Sequence, residues 1–319
     1  MILVTGGAGF IGSHLLDRLS AAGEPARALF RRSSAQLPAG VEAVRGDLAE
    51  PAGLDDALRG VTTIFHIAGV TKALQPEDYY RGNMRATENL ARAAAGRGIR
   101  FIHVSSLAAC GPCVGEKAVD EMRELAPISH YGKSKLEAER VVRALIPDAV
   151  IVRPPIVYGP RDTGVYAIWK AVSQGVMLQI AGGERWFSMI YVDDLVDGLL
   201  AAARTPQACG GVYFLSHPKL LNWNLLGEEA ARLMQRRLRV VRVPVPAAYT
   251  VGWCAEIWSY VTRKPGMISR EKVTEAICPR WVCDTSRAAE ELGFHARTAL
   301  AEGLPTTLAW YKEAGWLKY

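Results

Sequence analysis

No stretch of this sequence stays apolar and free of charge for the roughly 20 residues that a bilayer-spanning helix needs, so no spanning helix is expected. Cysteine is scarce: six scattered along 319 residues make no disulfide framework, which fits a reducing compartment. No basic leader with a small-residue cleavage site precedes the first apolar run, and the expectation is a cytoplasmic protein. Internal repeats and low-complexity tracts are absent, which excludes a repeat array. No metal-ligating cluster stands out, and no metal is expected. Nucleic-acid motifs are missing too. The formal net charge of +6 is concentrated between Arg232 and Lys272, where nine Lys or Arg face only Glu256 and Glu271. The rest of the chain is near neutral, so no nucleic-acid partner is expected.

What is present is an ordinary globular composition in a length that admits one large α/β unit or two domains sharing an interface. The chain opens on a short apolar run, Ile2-Leu3-Val4, which reads as a buried strand. It passes through Gly6, Gly7, Gly9 and Gly12 into a helix with apolar residues at Phe10, Ile11, Leu15, Leu16 and Leu19. Small residues let a backbone approach a pyrophosphate, and a helix N-terminus presents unpaired N–H groups and partial positive charge to it. A strand, a glycine turn and a helix in immediate succession are the context that makes Gly-x-Gly-x-x-Gly a dinucleotide cradle.

The second strand, Ala26 to Phe30, ends in Arg31-Arg32-Ser33-Ser34. A carboxylate there would bind an adenine-ribose 2′-hydroxyl, whereas arginine accommodates a 2′-phosphate. NADP(H) is therefore favoured over NAD(H), which stays open. Further strands are expected at 41–44, leading to Gly46-Asp47-Leu48, at 62–66, leading to Ala68-Gly69, and at 99–104, leading to Ser105-Ser106. A helix from about Tyr79 carries Asn83. Strands alternating with helices at this spacing imply a doubly wound parallel sheet, an α/β Rossmann architecture whose crevice lies at the strand carboxyl ends.

Tyr131 and Lys135 lie four apart, on one face of the helix expected to run to Ala144. A free tyrosine is a poor proton acceptor at neutral pH, and a neighbouring ammonium would bring its pKa down toward the working range. With Ser106 to hold a substrate oxygen, the trio suits proton transfer to or from an alcohol while hydride moves to or from nicotinamide.

Thr5-Gly-Gly-Ala-Gly-Phe-Ile-Gly12, His66-Ile-Ala68, Asn83 to Asn89, Val104-Ser-Ser106, Tyr131 to Lys135, Arg153 to Pro160 and Tyr191-Val-Asp-Asp194 together resemble the extended short-chain dehydrogenase/reductase superfamily, of epimerase/dehydratase type, along essentially the whole chain. The resemblance implies Tyr131 as catalytic acid/base, Lys135 holding the nicotinamide ribose and tuning Tyr131, and Ser106 orienting the substrate. It also implies Asn83 and Ser105 in the cofactor site, Asp47 and Leu48 beside the adenine, and Pro154 and Ile156 near the nicotinamide carboxamide. A homodimer through the helix bearing Tyr131 is implied in the same way. Cys110-Gly-Pro-Cys113 has the spacing of a redox dithiol, but it occupies the turn after Ser106, where the superfamily often has Tyr-Gly.

Residues 1–157, with returning segments near 192–215, are expected to form the dinucleotide-binding domain, and 158–191 with 216–319 the substrate domain. Nucleotide-sugar members of the superfamily hold the diphosphate with two arginines. Their positions here carry Phe187-Ser-Met-Ile-Tyr-Val192 and Cys278-Pro-Arg-Trp-Val-Cys283, with Arg185 and Arg280 as the available substitutes. Trp169, Trp186, Phe187, Met189, Trp223, Tyr249, Trp253, Trp258 and Met267 are expected to line an apolar pocket for a bulky hydrophobic alcohol or ketone. Lys264 to Arg270 and Trp281 to Gly293 look most like the 3β-hydroxysteroid dehydrogenase branch with its sterol-4-carboxylate relatives, which implies a sterol 3β-hydroxyl as substrate. A nucleotide-sugar epimerase or dehydratase and a non-catalytic NADP(H)-binding sensor are the rival readings. Trp253, Ile257 and Tyr260 recur at helical spacing before Arg263-Lys264. Residues 247–272 thus read either as an interfacial helix on an anionic membrane or as a cover over the pocket.

Overall fold

The computed structural model describes residues 1–31, 37–266 and 268–319, so Arg32, Ser33 and Ser34 of the basic loop and Met267 of the aromatic set lie outside the described residues. Seven parallel strands form the central sheet, in the order Val212–Tyr213, Val150–Val152, Arg100–Val104, Thr63–His66, Ile2–Thr5, Ala26–Phe30, Val41–Arg45. Chain order runs outward in both directions from Ile2–Thr5. The winding therefore reverses between Ile2–Thr5 and Thr63–His66, and a crevice opens at their carboxyl ends.

Both faces of the sheet are buried, because successive strand residues point to opposite sides. Val4 joins Leu15, Leu16 and Leu19 of the helix Phe10–Ala21 and Val196 and Leu199 of the helix Val192–Arg204. Leu3 points the other way, into Leu54, Leu90, Ala94 and Val142. Each such fully buried leucine stabilises the fold by roughly 1.5–3 kcal/mol.

The helix expected from about Tyr79 starts earlier and is irregular. Pro76–Tyr79 leads into a π-helical turn at Tyr80–Arg85 and then an α-helix at Ala86–Ala94. The wide turn is where Asn83 turns its carboxamide inward to the backbone of Val70. Such π-turns are commonly found beside functional sites.

A second apolar cluster joins Trp169, Phe187, Met189, Tyr191, Leu226, Leu304 and Tyr311. Trp169, Phe187 and Met189 are thus core residues rather than the expected pocket lining, since the facing helices Tyr166–Ser173, Trp223–Leu233 and Leu300–Glu313 cover them. Val245–Thr262 and Arg270–Ile277 form a helical hairpin. Thr250, Ser259 and Thr262 turn their hydroxyls back onto carbonyls of the first of these helices. No helix among the described residues is long and apolar enough to cross a membrane.

Candidate active site

A cavity of about 1210 Å³ follows the carboxyl ends of the strands. Leu29, Arg31, Asp47 and Leu48 line one end, Gly6, Gly9, Phe10, Ile11 and Gly12 the middle, and Ala68, Gly69 and Val70 the wall beyond. Glu256, Ser259, Tyr260, Glu271 and Lys272 close it from the helical hairpin. The glycine cradle is tight: a Cβ on Gly12 would lie 2.2 Å from the Gly6 carbonyl oxygen, so a side chain cannot occupy the space where the backbone meets its ligand. First-turn amides of the following helix lack intrahelical partners, and Asp47 caps its own turn by accepting from Ala49 N at 3.0 Å. The shape, the small residues and the helix N-terminus fit a dinucleotide.

The strand Arg100–Val104 delivers Ser106 to a short 3₁₀ turn, where its hydroxyl accepts from Ala108 N at 3.2 Å and hydrogen-bonds the Tyr131 phenol. Tyr131 is the second residue of the helix His130–Leu145, which Ser129 caps by accepting from Gly132 N at 3.1 Å. Gly132 permits the contact between helix and turn, because a Cβ there would lie 2.3 Å from the Ala108 carbonyl oxygen. Lys135, one turn on, is buried and donates to the Val104 carbonyl at 2.7 Å. Its Nζ is 3.7 Å from where a Cβ on Gly69 would project, which sets it at the cavity wall. Tyr131 stands between two lining residues, with the Tyr79 ring 6.1 Å away and Lys272 Nζ 5.6 Å from its own ring centroid.

The electrostatics correct the expectation for Tyr131. Burial pushes its phenol up to about 12 and outweighs the hydrogen bond from Ser106, which acts in the opposite sense. Burial also brings Lys135 down to about 8, a fall that Glu139 partly opposes. The Lys135 ammonium is committed to a backbone carbonyl, and desolvation governs the tyrosine. At neutral pH the Tyr131 phenol therefore keeps its proton.

Four residues expected at the cofactor have structural partners and, like Ser106, Tyr131 and Lys135, stand behind the residues that line the cavity. Asn83 is 1% exposed; its Oδ1 accepts from Val70 N at 2.6 Å, and its Nδ2 donates to Val70 O and to Ser134 Oγ, so it clamps the wall from behind. Ser105 is buried and pairs through its backbone with Val152. The Pro154 carbonyl accepts from Leu107 N, and Ile156 pairs with Met189 against the second cluster. Local backbone pairing claims these three, and they support the Ser106 turn.

Other residues have structural roles that the sequence did not assign to them. His66 bridges Thr5 and Thr87 at 2.8 Å on each ring nitrogen, and burial with the Lys135 charge lowers it to about 3, so it is a neutral strut under Ala68. Glu271 accepts from the His130 amide at 3.2 Å, and Lys272 pairs with Glu275. Both belong to a segment without a motif. Cys110 and Cys113 are buried, and burial pushes the Cys110 thiol up to about 12, away from the thiolate that redox exchange needs. Arg185 spends its guanidinium on the carbonyls of Ile180, Ala181 and Gly183.

Residues 2–215 match the NAD dependent epimerase/dehydratase family. The chain belongs to that family. It is an NAD(P)-dependent enzyme of the extended short-chain dehydrogenase/reductase type. It is 33% identical to a ceramide reductase of Caulobacter vibrioides strain NA1000 / CB15N, over 99% of this chain and 96% of that one. It is 29% identical to the N-acetyl-alpha-D-glucosaminyl-diphospho-ditrans,octacis-undecaprenol 4-epimerase of Escherichia coli O157:H7, over 96% and 94%. Among solved structures, MoeE5 in complex with UDP-glucuronic acid and NAD superposes with a TM-score of 0.80 at 26% identity, over 98% of this chain and 99% of that one. Relatives of this chain thus include a reductase and sugar 4-epimerases, among them a UDP-glucose 4-epimerase of Vibrio cholerae.

Proposed function

We propose that this enzyme is an NADP(H)-dependent reductase of a ketone carried on a bulky, lipid-like substrate. The observation that carries the reading is the placing of Tyr131 beside the Ser106 turn, one helical turn from the buried Lys135, at the edge of the dinucleotide cavity. A donor is what carbonyl reduction needs, whereas alcohol oxidation needs the phenolate. When bound, the nicotinamide supplies the hydride that adds to the carbonyl carbon. Ser106 donates a hydrogen bond to the carbonyl oxygen, and Tyr131 gives that oxygen its phenolic proton as the C=O π pair moves onto it. Lys135 offsets the phenolate left behind, which solvent then reprotonates. Arg31 at the adenine end, with no carboxylate closing its strand, supports NADP(H).

Three features support the substrate class. The relative at 33% identity is a ceramide reductase, one expected diphosphate-arginine position is the core residue Phe187, and Tyr260 and Ile268 give the hairpin wall of the cavity apolar surface. In this reading residues 1–157 hold the cofactor, and 158–191 with 216–319 hold the substrate. A sterol 3β-hydroxyl or 3-ketone, the sterol-branch reading, rests on the sequence of 264–270 and 281–293. One observation favours the nucleotide-sugar reading: Arg280 keeps a buried Nε without a partner among the described residues. A homodimer through the Tyr131 helix belongs to the proposal and is checked by sedimentation.

The test follows nicotinamide absorbance with NADPH and NADH against long-chain 3-keto lipids, 3-ketosterols, 3β-hydroxysterols and UDP-sugars. Turnover of a keto lipid, preferring NADPH, is the expected result, and turnover of UDP-sugars alone overturns the proposal. Tyr131→Phe is expected to bind NADPH normally and to lose about 10²–10⁴-fold in kcat. Unchanged turnover in that variant would remove Tyr131 from the mechanism, and absence of turnover with every substrate would favour the sensor reading.

A further inference from the structure

The helix Val245–Thr262 is apolar on nearly every side, yet Ala248 and Gly252 are the residues it buries. A helix of that character is ordinarily enclosed by protein or lipid. Here Val251, Trp258 and Val261 make one exposed row and Trp253, Ile257 and Tyr260 a second, with Trp258 69% and Val261 71% exposed. Both rows follow helical spacing, so the exposed residues form a ridge and not isolated surface hydrophobes.

The polar groups on this helix are already satisfied. The hydroxyls of Thr250, Ser259 and Thr262 donate to carbonyls of the helix itself, and Glu256 is taken by Arg270, at 2.8 Å from its amide and 2.7 Å from its Nε. Contact with an apolar medium would leave few donors or acceptors unmet. Charge lies at the ends. Arg242 precedes the helix, Arg263 and Lys264 follow it, and all three are exposed. Arg232, Arg270 and Lys272 have carboxylate partners, whereas the other six basic residues between 232 and 272 have none among the described residues.

This charge pattern selects the occupant. A second copy pairing two-fold on the same face would bring the unpaired Arg242, Arg263 and Lys264 at the helix ends against the same three cations. An anionic lipid surface neutralises them and takes up the ridge, with Trp253, Trp258 and Tyr260 suited to the headgroup boundary. We propose that the outer face of Val245–Thr262 docks on an anionic phospholipid membrane, the helix lying in the interfacial plane. Its other side carries Glu256 and Ser259 at the cavity, with Tyr260 at the edge between ridge and cavity, so a docked enzyme would draw its substrate from lipid into the site. That delivery step rests on the lipid-ketone reading, and the docking does not.

The test is flotation of the full-length protein with vesicles of phosphatidylcholine alone and of phosphatidylcholine mixed with phosphatidylglycerol. Binding is expected to the mixed vesicles and to weaken as salt is raised. Trp253→Ser with Trp258→Ser, and separately Arg263→Glu with Lys264→Glu, should each lower it about tenfold or more. Neither pair lines the cavity, so circular dichroism and turnover of a short water-soluble ketone should stay as in the parent, while turnover of a vesicle-borne ketone falls. Absence of binding to mixed vesicles, or binding unaltered in both variants, overturns the proposal. So does a dimer that dissociates in Trp253→Ser/Trp258→Ser, which assigns the ridge to a second copy. Because flotation needs no turnover, failure of the reductase reading leaves this result interpretable.

Discussion

Tyr131 and Lys135 are displaced from their ordinary pKa values in opposite directions by the same cause. Removal from water disfavours a phenolate and an ammonium alike, so the tyrosine rises to about 12 and the lysine falls to about 8. The sign of the pH dependence follows. In the proposed reduction Lys135 carries, below about pH 8, the charge that would offset a Tyr131 phenolate. Above it that charge is lost, while Tyr131 itself stays protonated. Ketone reduction by NADPH should accordingly decline as pH rises through about 8, and the declining limb belongs to Lys135 and not to Tyr131. A pH profile of kcat checks this: Lys135→Met should be slow throughout and lack the limb. A limb at the same pH in that variant would assign it to another group.

At the scale of elements, the contact between the Ser106 turn and the His130–Leu145 helix sets the geometry of the trio, and Gly132 is its hinge of closest approach. Gly132→Ala places a methyl 2.3 Å from the Ala108 carbonyl oxygen, and backbone cannot yield as a flexible side chain can. The cost expected for such overpacking is about 1–3 kcal/mol of stability. Thermal unfolding should show that loss, and kcat should fall by more than NADPH affinity, because the glycine cradle is remote from the change. Equal losses in both would mean that the helix does not set the trio. The opening strand, glycine turn and helix were legible in the sequence because period, small residues and order agree within fifteen positions. The Tyr131 to Lys135 spacing was legible for the same reason. The π-turn at Tyr80–Arg85 was not, since it depends on Val70, which is distant in sequence. The elevated phenol was not either, because spacing reports proximity to Lys135 but not the depth of burial that outweighs it. Likewise Trp169 and Phe187 read as apolar without showing whether they face a cavity or the core.

At the scale of the molecule, the cavity is built by segments far apart in the chain: strand ends from the first half and residues 256–272 from the second. Glu271 is a direct tie between them, accepting from the His130 amide at the start of the helix His130–Leu145. That amide is one of the donors a helix leaves unpaired at its N-terminus, and a carboxylate there also meets the positive end of the helix dipole. Both groups are partly exposed to solvent, so the tie should contribute only about 0.5–1 kcal/mol in the free enzyme. Its larger effect should appear on cofactor binding. A ligand at a hundredfold its Kd stabilises a protein by about 2.7 kcal/mol wherever its contacts lie, so a rise in melting temperature cannot by itself locate the coupling. Amide hydrogen exchange can. In the parent enzyme NADPH should slow exchange at the Gly6–Gly12 turn and also across 268–272. In Glu271→Ala the turn should keep its protection while 268–272 loses most of its own, with KM for the ketone raised more than kcat is lowered. Protection of 268–272 that survives Glu271→Ala would show that the cofactor bridges the two halves without this carboxylate.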